Sequence, residues 1–185
     1  MRIRKALPED AYAIAVVRVD SWRSTYQGLL PARFLNSLSY RDIERHWSGI
    51  LADPDQQGTA YVAEATGGQI VGFALCGKSR DPKLQVDGEI FAIYLLKEFQ
   101  RQGIGRQLFL TCVKQFHASG LQGMAVWALE TNQIARGFYQ RMDGRLTLRK
   151  SAVFGGMPVT QVAYCWYNLE TLIKQFDPKL PAKPS

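Results

Sequence analysis

The segment GEIFAIYLLKEFQRQGIGRQLFLTCVKQF, Gly88 to Phe116, decides the fold. From Glu89 to Leu95 it is apolar on both alternating faces, with Ile90 and Ile93 beside Phe91 and Tyr94. That is the composition of a strand covered on both sides. Lys97 to Gln102 is a polar turn. Gly103-Ile104-Gly105 then opens a segment in which Ile104, Leu108, Phe109, Cys112, Val113 and Phe116 are apolar. Their spacing places one stripe along a helix. The unit predicted is a central strand, a glycine-containing turn and a helix N-terminus.

A helix N-terminus presents unpaired N–H groups and a partial positive charge, so it suits an anion. Gly103 and Gly105 let a phosphate approach the backbone closely, and Arg101 and Arg106 flank them with fixed charge and forked donors. The physical reading is a pyrophosphate cradle. Tight packing of the turn is the other use of the same two glycines.

Gln100-Arg101-Gln102-Gly103-Ile104-Gly105 resembles the acetyl-CoA signature of the GNAT superfamily, Gln/Arg-x-x-Gly-x-Gly/Ala. That family's second landmark, Asn-x-x-Ala-x-x-Phe-Tyr, is matched by Asn132, Ala135, Phe138 and Tyr139, and the likeness runs from Ile3 to Trp166. The resemblance implies an α/β (α+β) domain over residues 1–176, with a mixed, mostly antiparallel central sheet flanked by helices, and a tail over 177–185. It implies an acetyl-CoA-dependent N-acetyltransferase. The cofactor-binding set carried over is Ile93, Tyr94, Leu95, Gln100, Arg101, Gln102, Gly103, Ile104, Gly105, Arg106, Asn132, Ala135 and Phe138.

Acetyl transfer to an amine needs a base for the amine, a donor for the oxyanion and a proton or its equivalent for the leaving thiolate. Tyr139 falls on the tyrosine that the family uses as general acid. A phenol is protonated at neutral pH and can donate. Its competing role is aromatic packing beside Phe138. Glu89 resembles the glutamate base of the histone acetyltransferase branch, and a solvated strand-end carboxylate is the alternative. Asp87 is a weaker substitute. The family's oxyanion donor is a backbone N–H where the central strand splays from its neighbour, near Tyr94 or Leu95. Asn132 could pair with the pantetheine arm or serve as a helix N-cap. Trp22 and Tyr26 fall in the segment that covers the acceptor side in the family; anchoring the first helix on the sheet is the other use of Trp22. One departure stands out: after Phe138-Tyr139 the family has Gly-Phe, whereas this chain has Asp143-Gly144-Arg145, which leaves the local packing open.

The chain has 185 residues, enough for one domain with a substantial core. No apolar run approaches the roughly 20 residues that span a bilayer, so no membrane role is expected. No signal-peptide core follows the basic N-terminus. Cys76, Cys112 and Cys165 lie apart in apolar runs and read as reduced thiols, which fits a cytoplasmic protein. No Cys/His cluster suggests a metal. The net charge of +7 invites a nucleic-acid partner, but the cations are scattered and a CoA-binding protein itself needs positive charge. His46 and His117 show no catalytic context. A dinucleotide-binding motif fails because Arg106-Gln107-Leu108 follows Gly105 where a third glycine is required.

Along the chain, Arg2 to Leu7 reads as a strand. Pro8-Glu9-Asp10 starts a helix running through Ile14 and Val17 to about Ser21. Asp20 to Gly28 reads as an aromatic and polar segment. Helices follow at Ala32 to Leu38 and Tyr40 to Leu51, then a loop of Asp53-Pro54-Asp55 and Gly58. Strands at Ala60 to Ala65 and Ile70 to Lys78 join as a hairpin at Gly67-Gly68. Ser79 to Asp87 is expected to be mobile. Beyond the central unit, Gly120 ends the helix, Met124 to Leu129 is a strand and Asn132 to Met142 a helix. Leu146 to Phe154 and Met157 to Trp166 pair through Gly155-Gly156. Asn168 to Phe176 is a short helix and Lys179 to Ser185 a frayed tail. The partners expected are acetyl-CoA and an amine, with a small metabolite or antibiotic-like amine favoured over a peptide N-terminus or lysine. A homodimer is compatible with the sequence. A non-catalytic acyl-CoA sensor is the alternative function.

Overall fold

The computed structural model describes residues 1–53 and 58–177. One seven-stranded sheet runs through it in the order β1-β2-β3-β4-β5-β7-β6. The strands are β1 (Arg2–Lys5), β2 (Thr59–Glu64), β3 (Ile70–Lys78), β4 (Gly88–Leu95), β5 (Met124–Leu129), β6 (Arg145–Phe154) and β7 (Met157–Trp166). Every neighbouring pair is antiparallel except β4 with β5. The expected mixed, mostly antiparallel sheet is therefore present. The helices are α1 (Ala11–Thr25), α2 (Ala32–Asn36), α3 (Tyr40–Ala52), α4 (Ile104–Ala118), α5 (Gln133–Arg141) and α6 (Leu169–Phe176).

The organising unit folds as its pattern dictates. β4 lies between β3 and β5, and the α4 stripe of Ile104, Leu108, Phe109, Cys112, Val113 and Phe116 is fully buried. Each large side chain of that stripe contributes about 1.5–3 kcal/mol by leaving water. Gly103 begins the helix at φ +82°, and Gly120 closes it at φ +82°. Gly155 and Gly156, at φ +57° and +81°, form the tight connection between β6 and β7.

Four local expectations change. Helix α1 does not stop near Ser21 but continues to Thr25, because Ser21 and Trp22 bury the same face as Ile14 and Val17. Trp22 thus stands in the last turns of α1, and Tyr26 is its C-cap. β1 stops at Lys5, since the backbone N–H of Leu7 donates to Asp10 Oδ2 at 2.8 Å and starts a turn at Pro8. α2 ends at Asn36, two residues before the expected limit. Ser79 to Asp87 is pinned at both ends by the Ser79 N–H donating to the Asp87 carbonyl at 2.8 Å. Its one buried apolar residue, Leu84, packs against Ala125, Ala163 and Cys165. The Pro54-Asp55 turn and the Lys179 to Ser185 tail lie outside the described residues.

The departure at residues 143–145 has a packing explanation. A Cβ on Gly144 would meet the Trp166 ring at 2.6 Å and the Tyr139 carbonyl at 2.9 Å. Trp166 Nε1 donates to the Met142 carbonyl at 2.7 Å, so the indole fills this corner. Arg145 is exposed and leaves that packing undisturbed.

Candidate active site

β4 and β5 pair only over Gly88–Ile90 with Met124–Val126. Beyond Ile90 they part. The Leu96 N–H donates to the Val71 carbonyl at 3.0 Å, which fixes the alternation along the β4 edge that faces β3. Tyr94 therefore bonds to Phe73 across that ladder, while the backbone groups of Ile93 and Leu95 point toward the parting. Of the two oxyanion donors expected from sequence, the geometry leaves Leu95 available and removes Tyr94. Ile93 joins it. The Leu95 carbonyl itself is held by Ser21 Oγ at 2.9 Å and Gln100 Nε2 at 3.2 Å.

A cavity of about 490 Å³ fills the parting. One end is the turn and first helical turn of α4, with Gln100, Arg101, Gly103, Gly105 and Arg106. Apart from its two chain neighbours, no described residue comes within 4 Å of the place where a Gly103 Cβ would be, so the space over this backbone is open. A Cβ on Gly105 would touch Leu95 at 3.3 Å, so this glycine also serves close helix–strand packing. Arg101 takes a positive φ of 59°. Arg106 donates to the Phe176 carbonyl at 2.6 Å and is thereby oriented by the end of α6. Two members of the expected set stay out of the lining. Gln102 Nε2 donates to the Glu98 carbonyl at 2.9 Å on the outer surface, and Ile104 is core.

The opposite wall comes from α5. Asn132 Oδ1 accepts from the Ala135 N–H at 3.1 Å, so Asn132 is the N-cap; its Nδ2 has no hydrogen bond among the described residues. Ala135, Phe138 and Tyr139 line the cavity. The Tyr139 ring packs between Phe138, Tyr164 and Trp166. No hydrogen bond holds its hydroxyl among the described residues. Burial, and then the neighbouring Tyr94, push the Tyr139 hydroxyl pKa well above that of an ordinary phenol. The group therefore stays protonated and is able to donate a hydrogen bond.

A second cavity of about 350 Å³ adjoins the first. Tyr26, Phe91, Tyr94, Trp127 and Ala128 line both and form the passage between them. The hydroxyls of Tyr26 and Tyr94 stand 3.3 Å apart in that passage. Burial and the Tyr94 neighbour raise the Tyr26 pKa far beyond the usual range. Trp22 packs edge-on to Tyr26 with ring centroids 4.9 Å apart and lines the second cavity. It thus both anchors α1 and lines a cavity.

Glu89 lines this second cavity, 2% exposed. Its Oε1 accepts from Arg80 Nη2 at 2.6 Å, and its Oε2 accepts from the Arg80 backbone N–H at 3.0 Å. It is neither a solvated strand end nor a free carboxylate. The partner is itself 65% exposed and lies over the Phe91 ring at 4.0 Å, so it can swing outward. Asp87 faces away, accepting from the Gln122 N–H at 3.3 Å, and lines neither cavity. His46 and His117 are also remote from both cavities.

Arg80, Arg18, Lys150 and Trp127 were not legible as site residues. Arg18 had one usable signal, its place four residues before Trp22 on the same helix face. Arg80 had none, because the pairing with Glu89 depends on how the 79–87 segment folds back. None of the three cysteines lines a cavity. All three are buried; a hydrogen bond to Cys76 and burial push the Cys112 thiol pKa upward, and burial raises that of Cys165. Among the described residues no group of three or more His, Cys, Asp or Glu side chains could hold a metal ion, and no helix is long and apolar enough to cross a membrane.

Comparison with known proteins agrees with this geometry. The family model for the acetyltransferase (GNAT) family matches residues 19–144. An uncharacterised N-acetyltransferase of Bacillus subtilis is 36% identical over 170 residues, covering 92% of this chain and 95% of its own. Among solved structures, an N-acetyltransferase from Staphylococcus aureus superposes with a TM-score of 0.71 at 20% identity, over 91% of this chain and 98% of its own. The PaiA N-acetyltransferase of Thermoplasma acidophilum, solved in complex with coenzyme A, gives a TM-score of 0.65 at 19% identity, over 87% and 96%. With the family model over two thirds of its length and a relative aligned almost end to end, the chain belongs to the GNAT family of acetyltransferases.

Proposed function

We propose that this protein transfers an acetyl group from acetyl-CoA to the amine of a small molecule, by direct attack with both bound at once. The observation that carries the reading is the pair of adjoining cavities. One ends at a helix N-terminus flanked by Arg101 and Arg106; the other holds a buried carboxylate; a short aromatic passage joins them.

The residues fit acetyl-CoA in the first cavity. The first-turn N–H groups of α4 and the open space over Gly103 suit the pyrophosphate. The backbone groups of Ile93 and the Leu95 N–H, with Asn132 Nδ2 opposite, suit the amides of the pantetheine arm. Arg141, on the lining, adds positive charge. When bound, the thioester supplies an activated acetyl carbonyl. The N–H groups of Ile93 and Leu95 are the backbone donors facing the cleft for the oxygen that gains charge. Tyr139 donates to the departing sulfur.

Glu89 is proposed as the base that takes the amine proton. Its two oxygens already accept from Arg80, so the base works with Arg80 withdrawn or through the acceptor site still open on Oε1. The absence of a cysteine from both linings supports direct attack over an acyl-enzyme. A volume of about 350 Å³ on the acceptor side suits a small molecule. The test incubates purified protein with acetyl-CoA and a panel of primary amines and reads free CoA thiol and N-acetyl product mass. Turnover with stoichiometric N-acetyl product is expected. Binding of CoA without turnover of any amine would identify an acyl-CoA sensor instead.

A further inference from the structure

The second cavity is rich in donors; the uncharged lining side chains able to accept are Gln161, Tyr26 and Tyr94. Arg18, from the middle of α1, is half-buried in its wall with the guanidinium 4.4 Å from the Trp22 ring centroid and 5.2 Å from that of Tyr94. No carboxylate and no hydrogen-bond acceptor engages it among the described residues. Two more unused donors belong to the lining: the buried indole N–H groups of Trp22 and Trp127 have no partner. Lys150 lies over the Trp127 ring at 3.7 Å, its nearest carboxylate being Asp81 at 3.9 Å. The single lining carboxylate, Glu89, is taken by Arg80.

A half-buried guanidinium and buried N–H groups without acceptors are costly unless something supplies the acceptors. Coenzyme phosphates are not that partner, because Arg101, Arg106 and Arg141 line the other cavity and Arg18 does not. Resting on the acetyl-transfer reading above, we propose that the acceptor is an amine that also carries an anionic group, carboxylate or phosphate, and that Arg18 receives this anion. The amine then lies toward the passage and Glu89. A polycationic amine would meet Arg18, Arg80 and Lys150 together and is disfavoured by charge alone.

The experiment compares matched acceptors. L-amino acids are assayed against their own amides, O-phosphoethanolamine against ethanolamine, and spermidine is included as a polycation. The carboxylate and phosphate arms separate the two sources of anion. The wild type is expected to favour the anionic member of a pair by roughly 10- to 100-fold in kcat/KM, the range of a hydrogen bond to a charged group. In Arg18→Gln this ratio should collapse toward one, and Arg18→Lys should restore part of it. A thermal shift with CoA confirms that each variant is folded. Equal or better turnover of amides, ethanolamine or spermidine by the wild type overturns the proposal, as does a ratio that survives Arg18→Gln. A second readout does not depend on turnover: stabilisation of the CoA-bound protein by N-acetyl amino acids against N-acetyl amino amides. If no amine is acetylated but the N-acetyl acid stabilises the wild type and not Arg18→Gln, the anion site stands and acetyl transfer falls. If neither readout responds, both fall.

Discussion

Replacing Tyr139 with Phe removes one oxygen and nothing else. The ring is held by Phe138, Tyr164 and Trp166, with centroids 5.4, 5.7 and 6.2 Å away, and those contacts do not involve the hydroxyl. No described residue hydrogen-bonds to it, so the substitution leaves no orphaned partner, and stability should change by no more than about 0.5 kcal/mol. The kinetic cost follows from the raised pKa. A thiol titrates near 8.5 and an ordinary phenol near 10, so full proton transfer to the leaving sulfur is uphill by at least about 2 kcal/mol, and burial makes it steeper. In the proposed role the hydroxyl is therefore a hydrogen-bond donor to a developing negative charge, worth about 1.5–3 kcal/mol. Tyr139→Phe should lower kcat by roughly 10- to 100-fold with CoA affinity nearly constant, the mark of an interaction made in the transition state. Because the raised pKa keeps the donor protonated, wild-type kcat should show no alkaline fall from this group up to about pH 10. Steady-state kinetics and CoA titration provide the assay. A wild-type kcat in the variant would refute the role, and a large loss of CoA affinity would make Tyr139 a binding residue instead.

Three further outcomes are expected. Gly103→Val should abolish stabilisation by CoA in a thermal shift and cost about 1–2 kcal/mol of intrinsic stability, because residue 103 sits at φ +82°; an undiminished CoA shift in folded protein rules out the cradle. Glu89→Gln should cut kcat/KM for the amine by roughly 10²- to 10⁴-fold, most strongly below the amine's own pKa; if the pH–rate profile is unchanged, Glu89 serves to hold Arg80 and not to take a proton. The buried Asp10 has its pKa lowered in the fold: burial alone would raise it, but hydrogen bonds from Arg4 and the Leu7 N–H, with the Arg4 charge, outweigh that. A depressed carboxylate contributes stability above its unfolded pKa near 3.9 and loses it as pH falls through the folded value. Urea melts should therefore show an acid loss below about pH 4 that is shallower in Asp10→Asn, and parallel acid limbs would remove Asp10 from the account.

The sequence pattern carried most of the scaffold because local rules and burial agreed there. The stripe from Ile104 to Phe116, the hairpin glycines at 155 and 156, and the cap at Asn132 each follow from short-range chemistry. That the glycine turn and Tyr139 line one cavity follows from motifs contiguous on one turn or one helix. The end of α1 was misread because Asp20, Ser21 and Ser24 look like loop residues. In fact Ser21 turns inward to the Leu95 carbonyl, 74 positions away. The state of Glu89 was hidden for a similar reason. Nothing at Glu89 announces Arg80, which reaches it only after Leu84 anchors the intervening turn. Arg18 and Trp127 become site residues through a cavity that four strands and a helix enclose, and no local period encodes such a convergence.

The parting of β4 from β5 also bears on how the molecule survives at high concentration. A row of unpaired backbone groups is what lets one protein add its strand to another, and exposed sheet edges are the usual starting point of such association. Here the open backbone groups, those of Ile93 and the N–H of Leu95, lie in the middle of the sheet, not at its margin. Phe138, Tyr139, Tyr26 and Trp127 line the cavity beside them. The open edge is enclosed by side chains inside the molecule and is not presented at the sheet's margin.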